Sequence, residues 1–198
     1  MAATSAVAFV AVGDTLTIRS LELVNFRSFA GARLDLDDRL TVLVADNGGG
    51  KTAALDGLSI ALAASLPGVR GRRRKDAPPQ RGLDIAPSDA HTSEVLPPYA
   101  FAAFPVQLVC EADIRGERLT WTTALNGADS PPAADTPANV VRLAGPAALK
   151  ERPPVDLPVV AYYGTARATG SLSSLKIPNL GRIERGLGYR NALSPDAN

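Results

Sequence analysis

Val42–Thr52 reads VLVADNGGGKT. An apolar run enters a glycine-rich turn, and Lys51-Thr52 then open a segment in which Leu55, Leu58 and Leu62 recur on one helical stripe. Strand, glycine turn and Lys-Thr at a helix start are what a phosphate cradle needs. Glycines let backbone N–H groups converge on phosphate oxygens without Cβ obstruction. The helix N-terminus adds the positive end of its dipole. In this reading Lys51 reaches the β- and γ-phosphates, and the Thr52 hydroxyl is the Mg²⁺ ligand. Gly50 must be small because the chain wraps closest to phosphate there. Ala45 stands where the strict pattern has glycine, a mild departure, and Asn47, Gly48 and Gly49 fill the loop. The expected ligands are ATP and Mg²⁺.

Upstream, Leu40–Val44 is almost continuously apolar, as expected of a strand buried on both faces. Arg33–Leu36 and Arg39–Val44 read as a pair of short strands turned at Asp37-Asp38. Leu16–Phe26 (LTIRSLELVNF) alternates with one slip at Ser20, which predicts a bulge. Residues 1–15 read as a loose extension or the product of an upstream start codon, without the positive n-region of a secretory signal.

Downstream, Lys51–Ser65 reads as a helix that Pro67-Gly68 ends. Residues 69–98 form a connector with no regular structure assigned; it holds Arg70, Arg72, Arg73, Arg74 and Lys75. Pro105–Ile114 and Glu117–Leu125 alternate cleanly around Arg115-Gly116 and predict a hairpin. Val106, Leu108, Cys110, Ala112 and Ile114 share one face, as do Leu119, Trp121, Thr123 and Leu125. Asn126–Pro137 reads as a flexible loop, Val140–Lys150 as a short helix and Leu157–Tyr163 as a buried strand.

The chain of 198 residues is 45% apolar, enough for one sizeable core. Lys+Arg is 21 against Asp+Glu 20, so any nucleic-acid contact must come from a local patch such as Arg70–Lys75. The single Cys110 excludes an intrachain disulfide and, with the lone His91, suits a reducing cytoplasm. No apolar run reaches the roughly 20 residues of a spanning helix, so no membrane is expected. His91 reads as an exposed connector residue. Glu111 and Asp113 fall on the polar face of the hairpin, where solvation accounts for them better than catalysis.

The segments Ile18–Phe29 (IRSLELVNFRSF) and Leu40–Leu58 (LTVLVADNGGGKTAALDGL) resemble the N-terminal lobe of SMC/RecF-like ABC ATPases. Leu157–Arg167 and Gly188–Asn198 resemble blocks of a narrower bacterial group, the AAA family ATPases described as predicted ATP-binding proteins, with relatives in the Septu and retron phage-defence systems. The resemblance implies an α/β P-loop NTPase with an ABC/SMC-like N-terminal lobe, a mixed sheet and an antiparallel β arm. It implies that Arg27 and Ser28 are phosphate or base contacts. It further implies a second ATPase head as partner and DNA or RNA as target. The family completes its site with an LSGGQ-like signature, an apolar strand ending in Asp-Glu and a switch histidine. None of these is in the sequence, and no glutamine stands at Tyr163-Gly164-Thr165. No catalytic residue is therefore assigned. The expectation is an incomplete domain over 16–198: a truncated gene, a fragment or a separately encoded lobe. A non-hydrolysing ATP-sensing module is the alternative.

Overall fold

A computed structural model describes residues 4–10, 16–65, 83–96, 99–143 and positions 156, 158 and 160. Among the described residues nine strands and two helices follow in the order β1 (Thr4–Val10), β2 (Leu16–Phe26), β3 (Phe29–Asp35), β4 (Leu40–Asp46), α1 (Lys51–Ala63), β5 (Thr92–Leu96), β6 (Tyr99–Ala102), β7 (Val106–Ile114), β8 (Glu117–Leu125), β9 (Ala133–Asp135) and α2 (Ala138–Leu143). The main sheet has five strands in the order β3-β2-β7-β8-β9. β1 pairs with β4, and β5 with β6, as separate two-stranded ladders. Every described ladder is antiparallel. They supply the antiparallel part of the expected mixed sheet; a parallel ladder is not among the described residues.

The β7–β8 hairpin forms as its alternation predicts. Cys110 faces Trp121 and Ile114 faces Glu117 across a two-residue turn. Arg115 and Gly116 both take positive φ, the conformation that matches the right-handed twist of the strands. Val106, Leu108, Cys110, Ala112 and Ile114 are all buried. In β2 the register against β7 shifts between Ile18 and Ser20, at the slip that the sequence predicts as a bulge.

Helix α1 lies against the inner face of this sheet. Of its residues only Thr52 and Leu55 escape full burial. The leucine stripe understates this, because the alanines that look like filler are themselves in the core. A helix apolar all round is a buried helix, and tertiary packing stabilises it in the absence of a side-chain cap. Trp121, 1% exposed, donates its indole N–H to the Ala61 carbonyl at 2.8 Å and ties β8 to the last turn of α1. Gly57 admits β2 closely: a Cβ there would stand 2.8 Å from Leu23 Cδ2.

Four expectations change. First, β3 does not pair with β4; it pairs with β2, with Leu21 opposite Leu34 and Phe26 opposite Phe29. The turn is Arg27-Ser28, made possible by a positive φ at Arg27, and with no glycine it leaves little trace in the sequence. The Asp37 carboxylate accepts the Arg39 and Leu40 amides, so Asp37-Asp38 turns the chain away from β3. Second, β4 is not buried on both faces, since Leu40, Val42 and Val44 are 51%, 49% and 64% exposed. Third, Thr4–Val10, within the stretch read as loose, is a strand along β4 with Val7 opposite Leu43. Its small and β-branched residues suit a ladder although they signal no core. Fourth, the supposed connector contains a 3-10 turn at Pro87–Asp89 and strand β5, and the supposed loop after β8 contains β9. These pieces are too short for periodicity to register.

The helix read over 140–150 is described only as Ala138–Leu143. Leu157–Tyr163 lies outside the described residues except for Pro158, which is buried, and Val160, which packs on the core. Arg70–Lys75 and everything after position 160 also lie outside them.

Candidate functional site

Strand β4 delivers the chain into the loop Asn47–Gly50, and α1 begins at Lys51. Gly48 and Gly50 take φ of +84° and +82°, a left-handed backbone that glycine adopts without steric cost. Gly49 and Gly50 are also required by space. A Cβ on Gly49 would stand 2.8 Å from Ala45 Cβ, and one on Gly50 2.6 Å from Phe29 Cζ and 2.8 Å from Ser28 Oγ. The Gly49 amide donates to the Asp46 carbonyl at 3.0 Å and closes the turn.

Lys51, 8% exposed, folds its side chain back over the loop. Its Nζ donates to the Ala45 and Asp46 carbonyls, both at 2.7 Å. These neutral oxygens hold the ammonium at the loop without cancelling its charge, so an anionic oxygen is the stronger acceptor. Thr52 is exposed at the helix start. Beside the loop a cleft of about 330 Å³ is walled by Phe29 and Leu34 of β3 and by Val44, with Gly49, Gly50 and Lys51 along one side. A loop that excludes Cβ atoms, a lysine amine and an exposed threonine at a helix N-terminus are groups of the kind that would suit a polyphosphate with a divalent cation. Among the described residues no group of three or more His, Cys, Asp or Glu could hold a metal ion by itself. No described helix is long and apolar enough to cross a membrane.

The sequence model of the AAA domain family matches residues 20–141, more than half of the chain. The chain belongs to this family. It is similar to a DNA replication and repair protein RecF from Rhizobium leguminosarum bv. trifolii (strain WSM2304), with 44% identity over 59 residues. That stretch is 30% of this chain and 14% of the relative, so the chain spans a small part of the relative's length. The likeness to the N-terminal portion of SMC/RecF-like ATPases, first carried by Ile18–Phe29 and the glycine loop, thus has independent support.

In this AAA domain the Arg27-Ser28 turn lies next to the loop, with Ser28 Oγ and the Phe29 ring against Gly50. Arg27 itself is engaged elsewhere. Its Nη1 donates to Asp56, on the second turn of α1, and its Nε donates to Asp89 at 2.8 Å. The guanidinium also stacks over Phe26, 5.1 Å from the ring centroid. Burial opposes the charge, but the hydrogen bonds to Asp56 and Asp89 outweigh it and raise the Arg27 pKa further above its ordinary value.

Sequence reasoning missed three partners in this corner. Asp56 and Asp89 are buried and give no sequence signal beyond being acids in apolar company. His91, expected to be exposed, is half-buried and donates from Nδ1 to the Arg27 carbonyl at 2.7 Å. The stretch 89–91 runs beside the end of β2: the Arg27 amide donates to the Asp89 carbonyl at 2.7 Å, and the His91 amide to the Asn25 carbonyl at 2.8 Å.

On the opposite face of the sheet, Glu111 and Asp113 sit among arginines. Asp113 accepts from Arg19 at 2.6 Å and Arg118 at 2.9 Å, and Glu111 lies near Arg33 and Arg118. The hydrogen bonds from Arg118 and Arg19 lower the Asp113 pKa to about 2. This is an ion-paired sheet face, in which both acids meet arginines and not water alone.

Proposed function

We propose that this chain is the ATP-binding N-terminal lobe of an SMC/RecF-like ABC-type ATPase, with Ala45–Thr52 as its Walker A loop. The observation that carries the reading is the loop itself, where two glycines at positive φ and a third packed on Ala45 lead into a helix whose first residue is Lys51. Lys51 exchanges its two carbonyl partners for β- and γ-phosphate oxygens. Thr52 would hold Mg²⁺, which would neutralise phosphate charge. Phe29, Leu34 and Val44 give the neighbouring cleft an apolar wall suited to the base. Hydrolysis belongs to an assembled head, in which a signature motif and an Asp-Glu strand complete the site; neither is in this sequence. The expected setting is a nucleic-acid transaction or phage defence in the cytoplasm, with a second head as partner and Arg70–Lys75 touching the phosphate backbone.

The test is titration of the folded chain with a fluorescent ATP analogue and Mg²⁺. Saturable binding is expected, weakened at least about tenfold by Lys51→Ala, in line with loss of a charge-assisted contact. A folded wild type that does not bind would remove ATP binding from this chain, and a Lys51→Ala variant that binds equally well would remove the assignment of that binding to Ala45–Thr52.

A further inference from the structure

The geometry points to Arg27 as a positioning residue that holds the phosphate loop through Asp56 and Asp89, and not as a ligand of the nucleotide. This inference rests on the ATP-binding reading above. Three observations converge on it. Arg27 is the hub of a corner where three separate parts of the chain meet: the β2–β3 turn, helix α1 and the 3-10 turn at Pro87–Asp89. Its guanidinium is shared between two buried carboxylates, one on each of the other two parts. Its backbone is pinned as well, because the amide donates to Asp89 and the carbonyl accepts from His91.

The turn so held is the one that abuts the loop. Ser28 Oγ and Phe29 occupy the space where any side chain on Gly50 would stand. Gly50 immediately precedes Lys51, and Asp56 lies on the second turn of the same helix. The Arg27–Asp56 pair therefore clamps α1 to the turn that sets the position of Gly50, Lys51 and Thr52. A guanidinium serves here because its planar fork can face two carboxylates at once, which an ammonium does poorly. Asn25 and Arg27 both have positive φ, a conformation unfavourable for residues with a Cβ, so the packed corner holds a backbone that would otherwise relax.

The two roles of Arg27 give opposite results for Asp56→Asn. If Arg27 positions the loop, Asp56→Asn and Arg27→Lys each weaken the fluorescent ATP analogue by about tenfold to a hundredfold, as expected for a displaced binding group. The double variant is then no weaker than the worse single one, since both remove one interaction. If Arg27 instead binds phosphate, Asp56→Asn removes a competing acid and leaves binding unchanged or tighter, while Arg27→Lys weakens it; that pattern would overturn the proposal. Hydrogen exchange of the amides of Gly50–Ala54 supplies a nucleotide-independent arm. Faster exchange there in both single variants, with the β7–β8 hairpin as protected as in wild type, is the expected result. Unchanged exchange in folded variants overturns the inference even if the chain binds no ATP. Failure of both variants to fold also overturns it, because the corner would then be a general stability element.

Discussion

The five-stranded sheet and the β1–β4 ladder are built from similar residues and end in opposite environments. β7 alternates Val106, Leu108, Cys110, Ala112 and Ile114 against α1, and all are buried. β4 alternates Leu40, Val42 and Val44, and all three are about half exposed or more. Among the described residues β4 pairs with β1 alone, whereas β7 lies between β2 and β8 with α1 across its inner face. Alternation thus determines which side chains share a face, and the packing of other elements determines whether that face meets water. The strand that carries the glycine loop is the less enclosed of the two, while the helix that receives the loop is almost wholly buried. The site therefore has one firm wall and one open one.

The largest expected effect breaks this contrast from the buried side. Trp121→Ala removes the largest side chain of the core together with its hydrogen bond to Ala61. It should cost about 3–5 kcal/mol in urea unfolding. Val44→Thr, on the exposed face of β4, should stay within about 0.5 kcal/mol of wild type. A comparable loss in both variants would mean that the β4 face is covered in solution, and the contrast would fall.

The parts legible in the sequence were those with long, regular signals. The β7–β8 hairpin, the bulge near Ser20, the start of α1 and the glycine turn before it followed from alternation, a slipped register, helical spacing and a run of glycines between an apolar strand and a helix. Other features left no such trace. The Arg27-Ser28 turn uses a left-handed arginine in place of a glycine, so nothing in IRSLELVNFRSF marks a reversal. Asp89 and His91 lie in a Pro-rich stretch whose composition says loop, and only their contacts with the end of β2 give them a role. For Arg27, the resemblance implied a phosphate or base contact. The structure supplies two buried carboxylates that no local pattern connects to it, 29 and 62 residues away along the chain.

Two glycines meet the same difference between enclosed and open surroundings. Gly57 of α1 faces Leu23 and Phe26, so the methyl of Gly57→Ala must displace the end of Leu23. Overpacking of about 1–3 kcal/mol outweighs the helix-propensity gain of about 1 kcal/mol. The net expectation is a loss of about 1 kcal/mol. Gly31 of β3 has nothing within 4 Å of a built Cβ and no positive φ. Gly31→Ala should therefore leave stability unchanged or raise it by up to about 1 kcal/mol through the unfolded chain. Equal destabilisation by both, read from chemical denaturation midpoints, would contradict the close approach of β2 to α1.

The smallest expected effect belongs to the ion-paired outer face of the same sheet. Asp113 is held near pKa 2 by Arg118 and Arg19, whereas a free aspartate titrates near 4. A carboxylate whose folded pKa is depressed contributes stability that is complete above the unfolded value and is lost as pH falls through the folded one. The contribution of Asp113 should therefore be constant from neutral pH down to about 5 and should fade between about 4 and 2. Because Arg118 is largely solvated and Arg19 partly so, salt should screen part of it. Asp113→Asn should lower the thermal midpoint slightly at pH 7, and the gap to wild type should close as pH approaches 2. A gap that persists at pH 2 would assign the loss to packing of the side chain. A gap that widens on acidification would mean that the Arg19 and Arg118 contacts do not depress this carboxylate in the folded chain.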